Sequence, residues 1–186
     1  MGPFGIALIF IVIAVVVVVA CIMLYNGIVQ KRNRVDNAWQ NIDANLERRN
    51  DLIPNLVETV KGYTSHESST LQAVTEARAA VSAAQTPQQT MEASDQLSGA
   101  LRQLFAVAEA YPDLKASANF EELQQQLADT ENRIVYARQS YNDCVYIYNN
   151  AIQTFPGNLL AGMGNFSAMD GFEASNDART APKVKF

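Results

Sequence analysis

The sequence predicts an all-α protein: an N-terminal transmembrane helix followed by an antiparallel bundle of three to four long helices. Three observations predict it. Phe4 to Leu24 is a run of apolar side chains interrupted only by Gly5. Beyond it, apolar residues recur in alternating steps of three and four, the repeat of a helical seam. No useful length of chain alternates with period two, as a half-buried strand would.

The apolar run comes first. Its 21 residues, rising about 1.5 Å each, span about 30 Å, the thickness of a bilayer core. Val15 to Val19 is unbroken valine, a poor helix former in water. In lipid the backbone must bond to itself, so helix is the structure available. A cleaved signal peptide wants a positive start, and Met1-Gly2-Pro3 has no Lys or Arg. Val18-Val19-Ala20-Cys21 has the form of a lipoprotein cleavage box, but the apolar run continues through Ile22, Met23 and Leu24. The first charged side chains, Lys31, Arg32 and Arg34, follow the span. The positive-inside rule places them in the cytoplasm, with the N-terminus outside and the helical domain cytoplasmic. Of 14 Lys+Arg and 19 Asp+Glu, these three set aside leave eleven against nineteen, a net −8 for residues 35–186. An acidic domain without a basic stripe is not built for nucleic acid.

A seam follows through Ile28, Arg32, Val35, Trp39, Ile42, Leu46, Arg49, Ile53, Leu56, Val60, Tyr63, Glu67, Thr70, Val74, Ala77 and Val81. It reads as helix from Ile28 to about Ala84. Pro54 interrupts it, because proline lacks an N–H and clashes with the carbonyl four residues back, that of Asn50. Either one helix kinks at Pro54, or a first helix ends near Asn50 and Asp51 caps a second. Pro87 sets a turn before a helix from about Gln88 to Ala110, with Leu97, Leu101, Leu104 and Val107 on one face. Tyr111-Pro112-Asp113 is a second turn. A long helix from about Leu114 to Thr154 carries the seam Phe120, Leu123, Leu127, Thr130, Ile134, Ala137, Tyr141, Cys144, Tyr148, Ile152 and Phe155. Short turns make sequence neighbours antiparallel. The chain therefore divides into an anchor (1–27), a helical bundle (28–156) and an irregular C-terminal tail (157–186). That tail is either disordered or laid along the bundle through Leu159, Leu160, Phe166 and Phe172.

Catalytic chemistry is poorly provided. His66 is the single histidine, and Cys21 and Cys144 are the only cysteines. His66-Glu67 opens like the zinc-protease helix H-E-x-x-H, but Thr70 stands where the second histidine belongs. The carboxylates Glu121, Glu122, Asp129 and Glu131 lack the Glu-x-x-His partner of a di-metal bundle. No catalytic residue, metal site or cofactor is expected. What stands out is a crowd of polar and aromatic side chains on the last long helix, Glu131-Asn132-Arg133, Arg138, Tyr141-Asn142, Tyr146, Tyr148-Asn149-Asn150 and Gln153, with Arg49 and Glu67 at seam positions before it. Charged groups on a seam must be paired or reach solvent. The group is either a buried network that fixes helix register or a docking face, since Trp, Tyr and Arg dominate interface hot spots.

Several stretches resemble the LemA family of bacterial membrane proteins. They are Tyr25-Asn26, Ala38-Trp39, Arg48 to Val57 (RRNDLIPNLV), Val60-Lys61-Gly62-Tyr63, His66-Glu67, Ala77-Arg78, Glu109 to Ala116 (EAYPDLKA), Glu131 to Ile134, Ala137-Arg138, Tyr141-Asn142, Tyr148-Asn149 and Phe155-Pro156. The resemblance runs from Tyr25 to Phe186. Asn50 departs from it, standing where family members often carry an aromatic residue. It implies a single span, a helical-bundle domain and no known enzymatic activity. It adds Tyr63 and Arg78 to the candidate residues, with Trp39. Relatives in magnetosome membranes hint at membrane organisation, and neighbouring membrane-protease genes hint at an adaptor. The expected function is a non-enzymatic, membrane-anchored scaffold that self-associates or organises membrane proteins. The alternative is an adaptor docking onto a membrane protease or envelope-stress system. The expected partners are the lipid bilayer and a second copy of the chain, or a membrane protease.

Overall fold

A computed structural model describes residues 3–64 and 67–172. They are helical and contain no strand. The helices are α1 (Pro3–Lys61), α2 (Ser68–Ala83), α3 (Pro87–Ala108), α4 (Pro112–Lys115), α5 (Ala118–Gln153) and α6 (Gly157–Met163). Helix α1 begins with the apolar run, long and apolar enough to cross a membrane. The described side chains of Phe4 to Leu24 are exposed, Cys21 among them.

The chain forms two compact units. One holds residues 39–64 and 67–139, with Phe172. Its core joins Ile53, Leu56, Val57 and Val60 of α1 to Leu71 and Val74 of α2, Leu97, Leu101 and Leu104 of α3, Leu114 of α4, and Phe120, Leu123 and Leu127 of α5. Each fully buried leucine contributes about 1.5–3 kcal/mol. Phe105 and Phe120 meet edge to face at 6.1 Å.

Helix α1 runs unbroken through Pro54. The cost of proline there is the orphaned Asn50 carbonyl. Arg78 Nε donates to that oxygen at 3.1 Å, from α2. Asn50 Nδ2 donates to Ser82 Oγ at 2.9 Å, so α2 returns along α1. The seam expected to run on through Tyr63 and Glu67 instead breaks: α1 ends at Lys61 and α2 begins at Ser68. Gly62 lowers helix propensity there, and the Thr64 hydroxyl bonds back to the Val60 carbonyl (3.1 Å), competing with helix. Thr70 and Val74 keep the count only because α2 faces the same core. Thr86 caps α3, accepting from the Gln89 N–H (3.2 Å), with Pro87 in the first turn. The long helix expected from Leu114 starts later, at Ala118, after the one-turn α4.

The other unit holds residues 3–38 with 140–171. Ile28 and Val35 of α1, Tyr141, Val145, Tyr148 and Ile152 of α5, and Ala161 of α6 are buried. Cys144, expected on the α5 seam, is only half-buried, and Val145 takes the inward place. A straight helix turns every 3.6 residues, so a seam counted at 3.5 must slip by one. Phe155, also expected on the seam, lies beyond the end of α5 and is exposed. The expected irregular tail begins with α6. A Cβ on Gly157 would collide with the Ala151 carbonyl oxygen, so glycine lets α6 press against the end of α5.

Candidate functional site

In the unit holding 39–139, the polar residues converge on Arg49. It sits on α1 twelve residues before that helix ends at Lys61, is 1% exposed, and its guanidinium reaches two other helices. Nη1 donates to Glu131 Oε2 of α5 (2.6 Å) and Ser98 Oγ of α3 (2.9 Å). Nη2 donates to Ser94 Oγ (2.6 Å) and the Ser94 carbonyl (3.2 Å). Ser98 Oγ lies within donating reach of Glu131 Oε1 (3.2 Å) and the Ser94 carbonyl (3.1 Å). Burial pushes the Arg49 guanidinium below its ordinary range, opposed by the charge and hydrogen bond of Glu131 and by the charge of Asp95, while Arg138 adds to the lowering. Asp95 in turn accepts from Arg138 Nη1 at 2.9 Å.

Trp39 is half-buried. Its ring lies 5.8 Å from that of Phe172, and the Arg138 guanidinium stands 6.0 Å from the Phe172 centroid. Phe172 thus lies between an aromatic and a cationic partner, both favourable for a ring.

Glu67 takes the position before α2, and its Oε1 accepts from the Tyr111 hydroxyl at 3.0 Å. That hydrogen bond, then burial and the nearby charge, raises the Tyr111 phenol. Arg78 serves the Asn50 carbonyl, as above. Tyr63 is exposed in the turn after α1. His66 lies outside the described residues. Among those described, no group of three or more His, Cys, Asp or Glu side chains is arranged to hold a metal ion.

In the unit holding 140–171, α5 turns its candidates onto the segment after α6. The Tyr148 hydroxyl donates to the Ser167 carbonyl (3.0 Å) and that of Tyr141 to the Asp170 carbonyl (3.4 Å). Asn149 clasps Met169 twice: its Nδ2 donates to the carbonyl (2.7 Å) and its Oδ1 accepts from the amide (2.9 Å). Asn142 stands so close to Gly171 that a Cβ there would lie 3.1 Å from Asn142 Oδ1. Burial is the main cause raising the Tyr141 and Tyr148 phenols. Asp170 and Asp36 add to it at Tyr141; at Tyr148, Arg32 opposes and Asp36 adds.

The structure therefore brings Arg49, Glu131 and Arg138 together, and sets Trp39 near Arg138 through Phe172. Glu67 and Arg78 make separate helix-to-helix bonds. Sequence reasoning missed Ser94, Asp95, Ser98 and Tyr111. One signal was present: Ser94 lies three residues before Leu97 and seven before Leu101, so a serine occupies the buried face of α3.

The LemA family model matches residues 38–186. A Protein LemA from Metamycoplasma hominis is 28% identical over 83% of this chain and 71% of its own length. Magnetosome protein MamQ 2 of Paramagnetospirillum magneticum is 24% identical over 92% of this chain and 73% of its own. Magnetosome protein MamQ of Magnetospirillum gryphiswaldense is 23% identical, with the same coverage. These relatives and the apolar α1 support a membrane-associated helical protein of bacterial type.

Proposed function

The chain belongs to the LemA family, and from that premise we propose that it is a non-enzymatic, membrane-anchored helical scaffold that self-associates. One observation carries the reading: the direction in which the side chains point. Arg49, Glu131 and Ser94, the residues best suited to chemistry, bond helix to helix. Meanwhile α5 turns Val135 and Tyr136 outward, Tyr136 to 72% exposure, beside the buried Ile134 and Ala137. A tyrosine displayed beside an aliphatic residue suits contact between proteins. The magnetosome proteins among the relatives favour a role in organising membranes. Lys31, Arg32 and Arg34, following the apolar run, favour a cytoplasmic helical domain with the N-terminus outside.

The test is the mass of the full-length protein in lipid nanodiscs. A discrete multiple of 20.4 kDa above the monomer, reduced by Tyr136→Ser, is expected. A monomer would overturn self-association in favour of an adaptor docking onto a membrane protease or envelope-stress system. A reporter fused after Phe186 should be active in the cytoplasm; activity outside would reverse the orientation.

A further inference from the structure

Helix α6 has two faces. Gly157 and Ala161, four residues apart, are buried. Leu159 and Met163, also four apart, point outward with exposures of 60% and 85%, and Phe155 just before them is 78% exposed. A short surface helix ordinarily turns polar residues to water. Here the outward face carries Leu159 and Met163 beside Gly162, with Asn158 its one polar side chain, and such apolar patches mark contact surfaces.

The position of α6 identifies what covers that face. A Cβ on Gly157 would come within 3.9 Å of Ile28 Cδ1, and one on Gly164 within 3.0 Å of the Tyr25 ring. The Phe166 ring meets Tyr25 at 5.4 Å. Tyr25 and Ile28 are one and four residues past Leu24, where the apolar run ends. Along a helix those steps are about 1.5 and 6 Å. The headgroup layer extends about 5–7 Å beyond each side of the hydrocarbon core. Helix α6 thus packs on α1 at headgroup depth. Composition agrees: from Cys144 to Met169 there is no Asp, Glu, Lys or Arg. The nearest charges on α1 are the basic Lys31, Arg32 and Arg34, suited to anionic headgroups.

We propose that α6 is a second membrane contact, its Phe155, Leu159 and Met163 side chains inserted at the headgroup–acyl boundary beside α1. The proposal rests on α1 crossing the membrane, so both are tested together. Full-length protein with Cys21→Ala and Cys144→Ala receives single cysteines in place of Met163, Leu159, Val12 or Asp143. Val12 lies inside the apolar run. Asp143 is exposed on α5, ten residues, about 15 Å, before its end at Gln153. Each is labelled with an environment-sensitive fluorophore and reconstituted into vesicles of phosphatidylcholine and phosphatidylglycerol, with or without lipids spin-labelled near the headgroup end of the acyl chain.

The expected result is blue-shifted emission and lipid quenching at 163 and 159, with neither at 143. Quenching by deeper spin labels at 12, but a water-like spectrum at 163 and 159, would overturn the proposal and leave the span standing. A blue shift at 163 without lipid quenching would assign the face to a protein contact and also overturn it. Loss of quenching at every site, 12 included, would overturn the span itself.

Discussion

Arg78 supplies from α2 the hydrogen bond that Pro54 withholds from Asn50 within α1. The guanidinium Nε sits 3.1 Å from the Asn50 carbonyl oxygen, the acceptor a residue with an N–H at position 54 would have used. A helix breaker and an arginine 24 positions later are two halves of one device. It holds α1 continuous and fixes α2 against it.

The pair should therefore be coupled. Arg78→Ala should cost about 1.5–3 kcal/mol, the worth of a hydrogen bond with a charged donor. In a Pro54→Ala background the alanine N–H takes the carbonyl, and the same change should cost under about 1 kcal/mol. Urea unfolding of the four proteins in detergent, followed by helicity, measures the coupling. Equal costs in both backgrounds would mean that the two residues act independently.

Removing one partner of a buried charge pair strands the other. Glu131 is 45% exposed on its side chain, so Glu131→Gln should cost a moderate amount, about 1.5–3 kcal/mol. Arg49→Ala, which also leaves a cavity, should cost about 3–5 kcal/mol. Arg49→Met should recover part of that loss. Denaturation midpoints give the order; Arg49→Ala milder than Glu131→Gln would refute it.

Trp39 is half-buried rather than core. Trp39→Ala should cost about 1–2 kcal/mol, between the worth of an aromatic pair and the about 3–5 kcal/mol of a core tryptophan. Phe172→Ala should weaken most of the same contact, so the double variant should lose less than the sum. Thermal unfolding distinguishes the two cases.

The raised Tyr141 and Tyr148 phenols give alkaline stability a definite sign. The folded protein holds these protons more tightly than the unfolded chain, whose phenols titrate near pH 10. Their contribution is complete below about pH 10 and is lost as pH rises through the folded values. A Tyr141→Phe, Tyr148→Phe protein should start lower at neutral pH but lose less Tm as the pH is raised above about 10. A parallel decline in both proteins would assign the loss to other groups.

Legibility in the sequence followed periodicity. Ile42, Leu46, Ile53, Leu56, Leu123, Leu127 and Ile134 were readable as buried because seam position and burial are the same property. The turn between α1 and α2 was hidden because Tyr63, Glu67 and Thr70 stayed in count across it. Arg49 was conspicuous as a charge on an apolar seam. Its serine partners were not, since serine carries no pairing signal until a guanidinium arrives. Phe172 and the carbonyls of Ser167, Met169 and Asp170 could not be matched to Trp39, Tyr148, Asn149 and Tyr141. That segment has no repeat, and backbone acceptors leave no trace in side-chain pattern.

The Arg49–Glu131 bond spans 82 positions of sequence, which gives it a place in time. At about 5–20 residues per second, roughly 4–16 s of synthesis separate the arginine from its carboxylate. Ser94 and Ser98 of α3 follow Arg49 by 45 and 49 positions, so the cation on the apolar seam of α1 meets hydroxyls first and the Glu131 carboxylate last. The last long segment to leave the ribosome is the one that closes the unit. A nascent chain arrested before α5 lacks Phe120, Leu123 and Leu127; it is an open-cored intermediate, and a natural client for chaperones or proteases in the seconds before it is finished.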